Sequence, residues 1–172
     1  LKSRFDDGKR LYEILAELKS RLQSNLISAG HSVAASRAMS YFSRPAAIQE
    51  QINGMPFYRM VDYLEKNFDS CREDLQNKLE ALMKYIFRPE NLLLDYVGTQ
   101  DHYEEFISLA GQVKKSLHTE PVEHRPFLIE PVRKNEGFMS ASQVQYVCRA
   151  GNFISKGLSY TGALRVLKVM MS

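Results

Sequence analysis

Residues 30–43, GHSVAASRAMSYFS, decide how the chain is read. They follow a long amphipathic pattern and are crowded with small side chains. Val33, Ala34, Ala35, Ala38, Met39 and Phe42 fall at helical positions, which predicts a second helix turning back against the first. The alanines let two helices approach closely, and Met39, Tyr41 and Phe42 are expected to fill the far end of the contact. Gly30 suits the left-handed position after a helix. Pro45 limits the second helix, because the residue before a proline is pushed out of the α region. The stretch is expected to be the elbow of a helical hairpin, and it contains no catalytic motif.

Ahead of the elbow, Leu11, Leu15, Leu18, Leu22 and Leu26 keep helical spacing, with Ile14 widening the stripe. Asp6 or Asp7 can cap that helix by accepting from free amides of its first turn. Behind the elbow, a short helical piece over 46–52 ends at Asn53-Gly54. Pro56 opens the next helix, where its missing N–H costs nothing. Phe57, Met60, Val61, Leu64 and Phe68 give that helix an apolar face. Ser70 and Glu73 form a capping-box pattern for a further helix carrying Leu75, Leu79, Leu82, Met83 and Ile86.

The character changes at Arg88-Pro89-Glu90-Asn91. The apolar run 92–97 reads as a largely buried strand. Asp101 and Glu104 make another capping pattern, before an amphipathic helix marked by Tyr103, Phe106, Ile107, Ala110, Val113 and Leu117. Residues 127–132 and 143–148 read as short strands, the first demoted towards a sheet edge by Pro126 and Pro131. A turn is expected at 135–137, and Ser159 caps a last helix with Ala163, Leu164, Leu167 and Met171. The fold class expected is therefore α+β: a long helical hairpin and supporting helices, then a partial sheet with helices packed on one face. Residues 1–88 would form the hairpin and connector region and residues 89–172 an α+β domain.

Composition narrows the function classes. A chain of 172 residues can bury roughly 70% of its unfolded surface, so a core is within reach. No apolar run approaches the about 20 residues that span a bilayer. Residues 1–89 hold 14 Lys and Arg against 11 Asp and Glu, and residues 90–172 hold nine of each. The net charge of +3 is thinly spread, without the concentrated basic stripe of a nucleic-acid or anionic-membrane footprint. No nucleic-acid or membrane partner is expected. Cys71 and Cys148 stand far apart outside any CxxC pattern, and their spacing leaves a disulfide open. Isolated thiols and a charged N-terminal stretch without a signal-peptide core point to the cytoplasm, or to an organelle matrix in a eukaryote.

The histidines fail a direct metal test. Zinc peptidases place two His four apart on a helix with a Glu between them. His102-Tyr103-Glu104-Glu105-Phe106 has the first His and the Glu, but Phe106 holds the second ligand's place. Glu120-Pro121-Val122-Glu123-His124 has the last two, but Glu120 stands where the first His belongs and Pro121 disfavours the helix. Chance composition accounts for both. His31 is assigned a helix-end or surface role, and Ser32, Ser36 and Ser40 ease helix contact. Core filling is expected of most of Met55, Met60, Met83, Met139, Met170 and Met171. No catalytic or metal-binding residue is assigned, and no substrate-binding residue either.

Several long stretches together carry a resemblance: LKSRLQSNLISAGHSVAASRAMSYFS (18–43), FYRMVDYLEKNF (57–68), PENLLLDYVG (89–98), ASQVQYVCRAGNF (141–153) and YTGALRVLKVMMS (160–172). The chain resembles the insulinase/pitrilysin-type zinc metallopeptidases, in the presequence-protease branch, over the associated region that follows the catalytic half. That resemblance implies a clamshell of two halves joined by a helical hairpin around a chamber for unfolded peptides. The inverted H-x-x-E-H zinc site would precede Leu1, and the substrate-holding Arg and Tyr side chains would follow Ser172.

The segment would then be a non-catalytic connector with the start of the third domain, truncated at its C-terminus. Zinc would be bound outside it, and its partners would be the other domains of the same polypeptide and, in the parent enzyme, an unfolded peptide. The competing expectation is a free-standing helical protein-interaction module. An upstream H-x-x-E-H in one long reading frame separates the two.

Overall fold

A computed structural model describes residues 5–123, 126–139 and 143–171. Among them the chain forms seven α-helices: α1 (Gly8–Ser28), α2 (Gly30–Met39), α3 (Arg44–Asn53), α4 (Met55–Lys66), α5 (Phe68–Ile86), α6 (Tyr103–Lys115) and α7 (Gly162–Met171). Short 3-10 turns occupy Pro89–Asn91, Gln100–His102 and Ile154–Lys156.

The described residues contain no strand, so the expected α+β fold with a partial sheet is corrected to an all-helical one. The reason is physical. High β-propensity reports a fit to a pleated, half-buried surface, and a strand exists only where a ladder partner satisfies its amides and carbonyls. Residues 92–97, 127–132 and 143–148 have the composition but no ladder partner among the described residues. The first of these runs was expected to be buried, yet Leu93 is 91% exposed and Val97 95%.

The chain divides into two compact units. Unit 1 comprises Leu1–Glu17 and Tyr63–Phe127, and unit 2 comprises Leu18–Asp62 and Leu128–Ser172.

In unit 1, α1 begins where expected: the Asp7 carboxylate accepts from the Arg10 amide at 3.0 Å. Leu11 and Leu15 are buried, as the leucine stripe predicts. The start of α1 lies against α5 running in the opposite direction. Tyr12 meets Phe68 edge-on at 5.4 Å, Arg72 donates to the Asp6 carbonyl at 3.0 Å, and Gln76 donates to the Phe5 carbonyl.

Helix α5 does not start from a capping box at Ser70. It starts at Phe68, and the Ser70 hydroxyl donates back to the Asn67 carbonyl at 2.9 Å. Its end is tightly held. Asn91 donates to the carbonyls of Tyr85 and Ile86, and the buried Arg88 reaches both Glu90 (2.6 Å) and the Glu120 carbonyl (2.7 Å). The His118 amide donates to the Phe87 carbonyl at 2.9 Å, which fixes the loop that follows α6.

In unit 2 the elbow is built differently from the sequence expectation. Gly30 does not adopt the left-handed conformation. It opens α2, and among the described residues the left-handed glycine is Gly157, at φ 78°. The break between α1 and α2 is the single residue Ala29. Helix α2 then packs against α3, rather than back along α1. Ser43 caps α3, and Pro45 sits in its first turn, where a proline is tolerated. Ala47 is buried on α3 and Val61 is 1% exposed on α4, where Asp62 pairs with Lys19 at 2.9 Å.

Burial revises the choice of contact alanine. Ala35 is exposed, whereas Ala34 and Ala38 are half-buried. Overfilling at Ala47 should therefore disturb the elbow and overfilling at Ala35 should not. Ala47→Leu is expected to cost about 1–3 kcal/mol. Ala35→Leu should stay within about 0.5 kcal/mol, as measured by urea unfolding followed through the helix signal.

Candidate functional site at the elbow

Along α2, the positions facing inward recur as Gly30, Val33, Ala34, Arg37 and Ala38, a stripe of helical period. Four are small or apolar and the fifth is an arginine, which is the feature the residue pattern should have singled out. Helix α3 repeats the anomaly, since Glu50 shares its inward side with Ala47 and is 5% exposed. A guanidinium and a carboxylate facing inward on two packed helices require partners.

Arg37 supplies them. Its Nη1 lies 3.4 Å from Glu50 Oε1, with side-chain exposures of 16% and 4%. Its other edge grips Glu136: Nε donates to Oε2 at 2.9 Å and Nη2 to Oε1 at 3.1 Å. This two-pronged geometry is the strong form of a charge-assisted contact. Tyr41 donates its hydroxyl to Glu136 Oε2 at 2.5 Å. The guanidinium also stands over the rings of Tyr41 and Phe138, at 5.5 and 5.8 Å, and Arg59 lies over the same Phe138 ring at 5.6 Å, within the range of cation–π attraction. On the far side Glu50 accepts from the Met55 amide at 3.1 Å, which ties the hub to the start of α4.

The charges tune one another. The hydrogen bond from Tyr41, opposed by partial burial and reinforced by Arg37 and then Lys134, holds the Glu136 carboxyl below the usual range. Burial acts to lower the Arg37 guanidinium, and the bond and charge of Glu136, with Tyr41, outweigh it and leave it raised. Burial and then Glu136 raise the Tyr41 hydroxyl, against the charge of Arg37.

The sign for stability follows from the depressed Glu136. Its contribution is complete above the ordinary glutamate pKa of about 4.3 and fades as pH falls through the lower folded value. The stability gap between the wild type and Glu136→Gln should therefore be present at neutral pH and close in acid. Melting curves taken from acid to neutral pH measure it.

A second stretch meets the elbow at Gly30. The ring of Tyr146 lies so close that a Cβ on Gly30 would stand 2.6 Å from Tyr146 Cε2. That ring also leans on His31 at 5.9 Å. This close approach, and not a left-handed turn, is what the glycine permits.

The other residues singled out from the sequence do not converge. His102 lies in the 3-10 turn before α6, Glu104 and Glu105 are in the first turn of that helix, and Phe106 stacks on Tyr96 at 4.9 Å. Glu120 faces Lys84 at 3.8 Å, and His124 lies outside the described residues. Ser32 and Ser36 are exposed, while Ser40 is buried and donates to the Arg37 carbonyl at 2.7 Å. Met60, Met139, Met170 and Met171 are exposed and fill no core. Cys71 and Cys148 are free thiols. Among the described residues, no three His, Cys, Asp or Glu side chains gather as a metal-ligand group, so no chemistry is routed through a metal here. No helix among them is long and apolar enough to cross a membrane. The sequence assigned no role to Arg37, Glu50 or Glu136.

Comparison with known proteins supplies a family. Residues 1–64 match the family of regions described as associated with the peptidases of family M16, subfamily C. The chain is similar to Protein HypA of Clostridium perfringens (strain 13 / Type A), 28% identical over 166 residues, which cover 96% of this chain and 17% of that protein. It is also similar to Presequence protease 1, chloroplastic/mitochondrial, of Arabidopsis thaliana, 25% identical over 173 residues, covering 98% of this chain and 16% of that protein. The chain thus spans about one sixth of the length of these curated relatives. Residues 1–64, which contain the elbow, belong to that peptidase-associated family, and the resemblance to the presequence-protease branch of the insulinase/pitrilysin-type peptidases holds.

Proposed function

We propose that this chain is a non-catalytic structural segment of a zinc metalloendopeptidase that degrades short unfolded peptides, acting as the connector between two halves of the enzyme. The observation that carries this role is the match of residues 1–64 to a peptidase-associated family, within a similarity to a presequence protease that runs over 98% of the chain. The geometry of the elbow supports a mechanical part. Charged side chains on the inward stripes of α2 and α3 are satisfied by one another, a packing that fixes the joint between helices and supplies no nucleophile or proton relay.

On this proposal the connector sets how the halves approach, and so when a peptide is shut away from water beside the metal. Zinc would be held by residues elsewhere in the parent polypeptide, and the partners of this segment are the other domains of that polypeptide. The test compares the natural-length polypeptide with the isolated 172-residue chain. The former should cleave short unfolded peptides and lose that activity to a chelator. The latter should bind no zinc tightly and cleave nothing. Chelator-sensitive cleavage by the isolated chain overturns the proposal.

A further inference from the structure

Residues 128–139 form an extended stretch that is held to the elbow in an unusual way. Its backbone makes no hydrogen bond to another backbone group among the described residues. It buries little: Leu128 is 80% exposed, Val132 60% and Met139 102%. What fastens it is side-chain chemistry at a few points. Glu130 pairs with Arg44 on the surface. Glu136 is gripped by Arg37 and Tyr41, and Phe138 lies beneath the guanidinium groups of Arg37 and Arg59. The first of these pairs is solvent-exposed at both ends and contributes little. The hold therefore concentrates at Glu136.

Arg37 is placed between two carboxylates on opposite sides. Glu50 belongs to the helical platform and Glu136 to the extended stretch. When Glu136 leaves, Arg37 still has Glu50 at 3.4 Å, so opening does not strand a buried cation. Nor does opening expose a large apolar area, given how little the stretch buries and how the hydrophobic cost scales with area. Two arrangements of the same side chains are thus both satisfied, which is the requirement for a two-state element.

From this geometry we infer that residues 128–139 are a releasable strap, clasped to α2 at Arg37 by Glu136 and Tyr41, which opens as a unit while α2 and α3 beneath it stay folded. Loss of the clasp shifts the strap towards the open form, and Arg37 then rests on Glu50 alone.

The test places paired spin labels at exposed Arg133 and Gln49 in the natural-length polypeptide, its native cysteines replaced, and reads the distance distribution. The wild-type clasp should give one narrow population. Glu136→Gln should add a longer, broad one, with the open-to-closed ratio rising about tenfold or more, the loss expected for a charge-assisted bond. Tyr41→Phe, which removes only the hydroxyl donor, should move the ratio in the same direction by less. Helix content from circular dichroism at room temperature should remain that of the wild type in both. A single unchanged distance in Glu136→Gln refutes the strap. So does release accompanied by loss of helix content, because the stretch would then be part of the platform's fold.

Discussion

Replacing Arg37 by Met should lower the unfolding free energy by about 3–5 kcal/mol, the cost of removing one partner from a buried charged pair. The methionine preserves much of the aliphatic stem but leaves Glu50, with a side chain 4% exposed, facing an apolar replacement. Glu136 loses its two-pronged contact at the same time. Most of the penalty should come from Glu50, because Glu136 can return to water and Glu50 cannot. The double variant Arg37→Met/Glu50→Leu separates these contributions. It should regain most of the loss, since well-packed apolar residues replace buried pairs at little cost. Recovery should fall short by about 1 kcal/mol, because the Met55 amide loses the carboxylate that accepts from it. Urea unfolding of the single and double variants decides the matter. If Arg37→Met costs less than about 1 kcal/mol, the hub behaves as an ordinary surface pair.

Leu15→Ala should be the second most damaging change, at about 2–3 kcal/mol, the lower part of the range for emptying a buried leucine position. Leu15 is 7% exposed and Leu11, one turn earlier, 9%. They are the buried apolar residues of unit 1 among the described residues, so little neighbouring core exists to share the loss. Ile14, beside them in sequence, is 46% exposed. Ile14→Ala should therefore cost well under half as much. Thermal melting of the two variants side by side provides the comparison. Equal losses would mean that the leucine stripe does not carry unit 1.

The helices were legible because their signals are local. The leucine period of α1, the Asp7 cap, Pro56 in the first turn of α4 and the stop at Pro89 need no information from distant residues. The sheet was misread because a strand is not a local object: 92–97 and 143–148 have the right side chains and no ladder partner among the described residues. Gly30 was misread for a related reason. A glycine after a helix suits a left-handed cap, but here it makes room for Tyr146, more than a hundred residues away in sequence.

Half of the elbow hub was visible in principle. Arg37 and Glu50 are charges on small-residue stripes, and a charge there calls for a partner. Glu136 was not visible, because its position 99 residues from Arg37 is set by the path of the strap and not by any pattern around it. Residues 135–137 looked like a turn. They carry the clasp instead.

The elbow thus gains a specific construction: small residues pack α2 on α3, and Arg37 links that platform to the strap. If the segment is the connector of a peptidase, disturbing this packing should change catalysis without touching the metal. The most direct measurement is bound zinc and peptide turnover, taken together, in the natural-length polypeptide carrying Ala47→Leu. Zinc stoichiometry should equal that of the wild type while turnover falls. Unchanged turnover in a variant whose elbow is measurably destabilised, or zinc lost in step with activity, would contradict a mechanical role for the elbow.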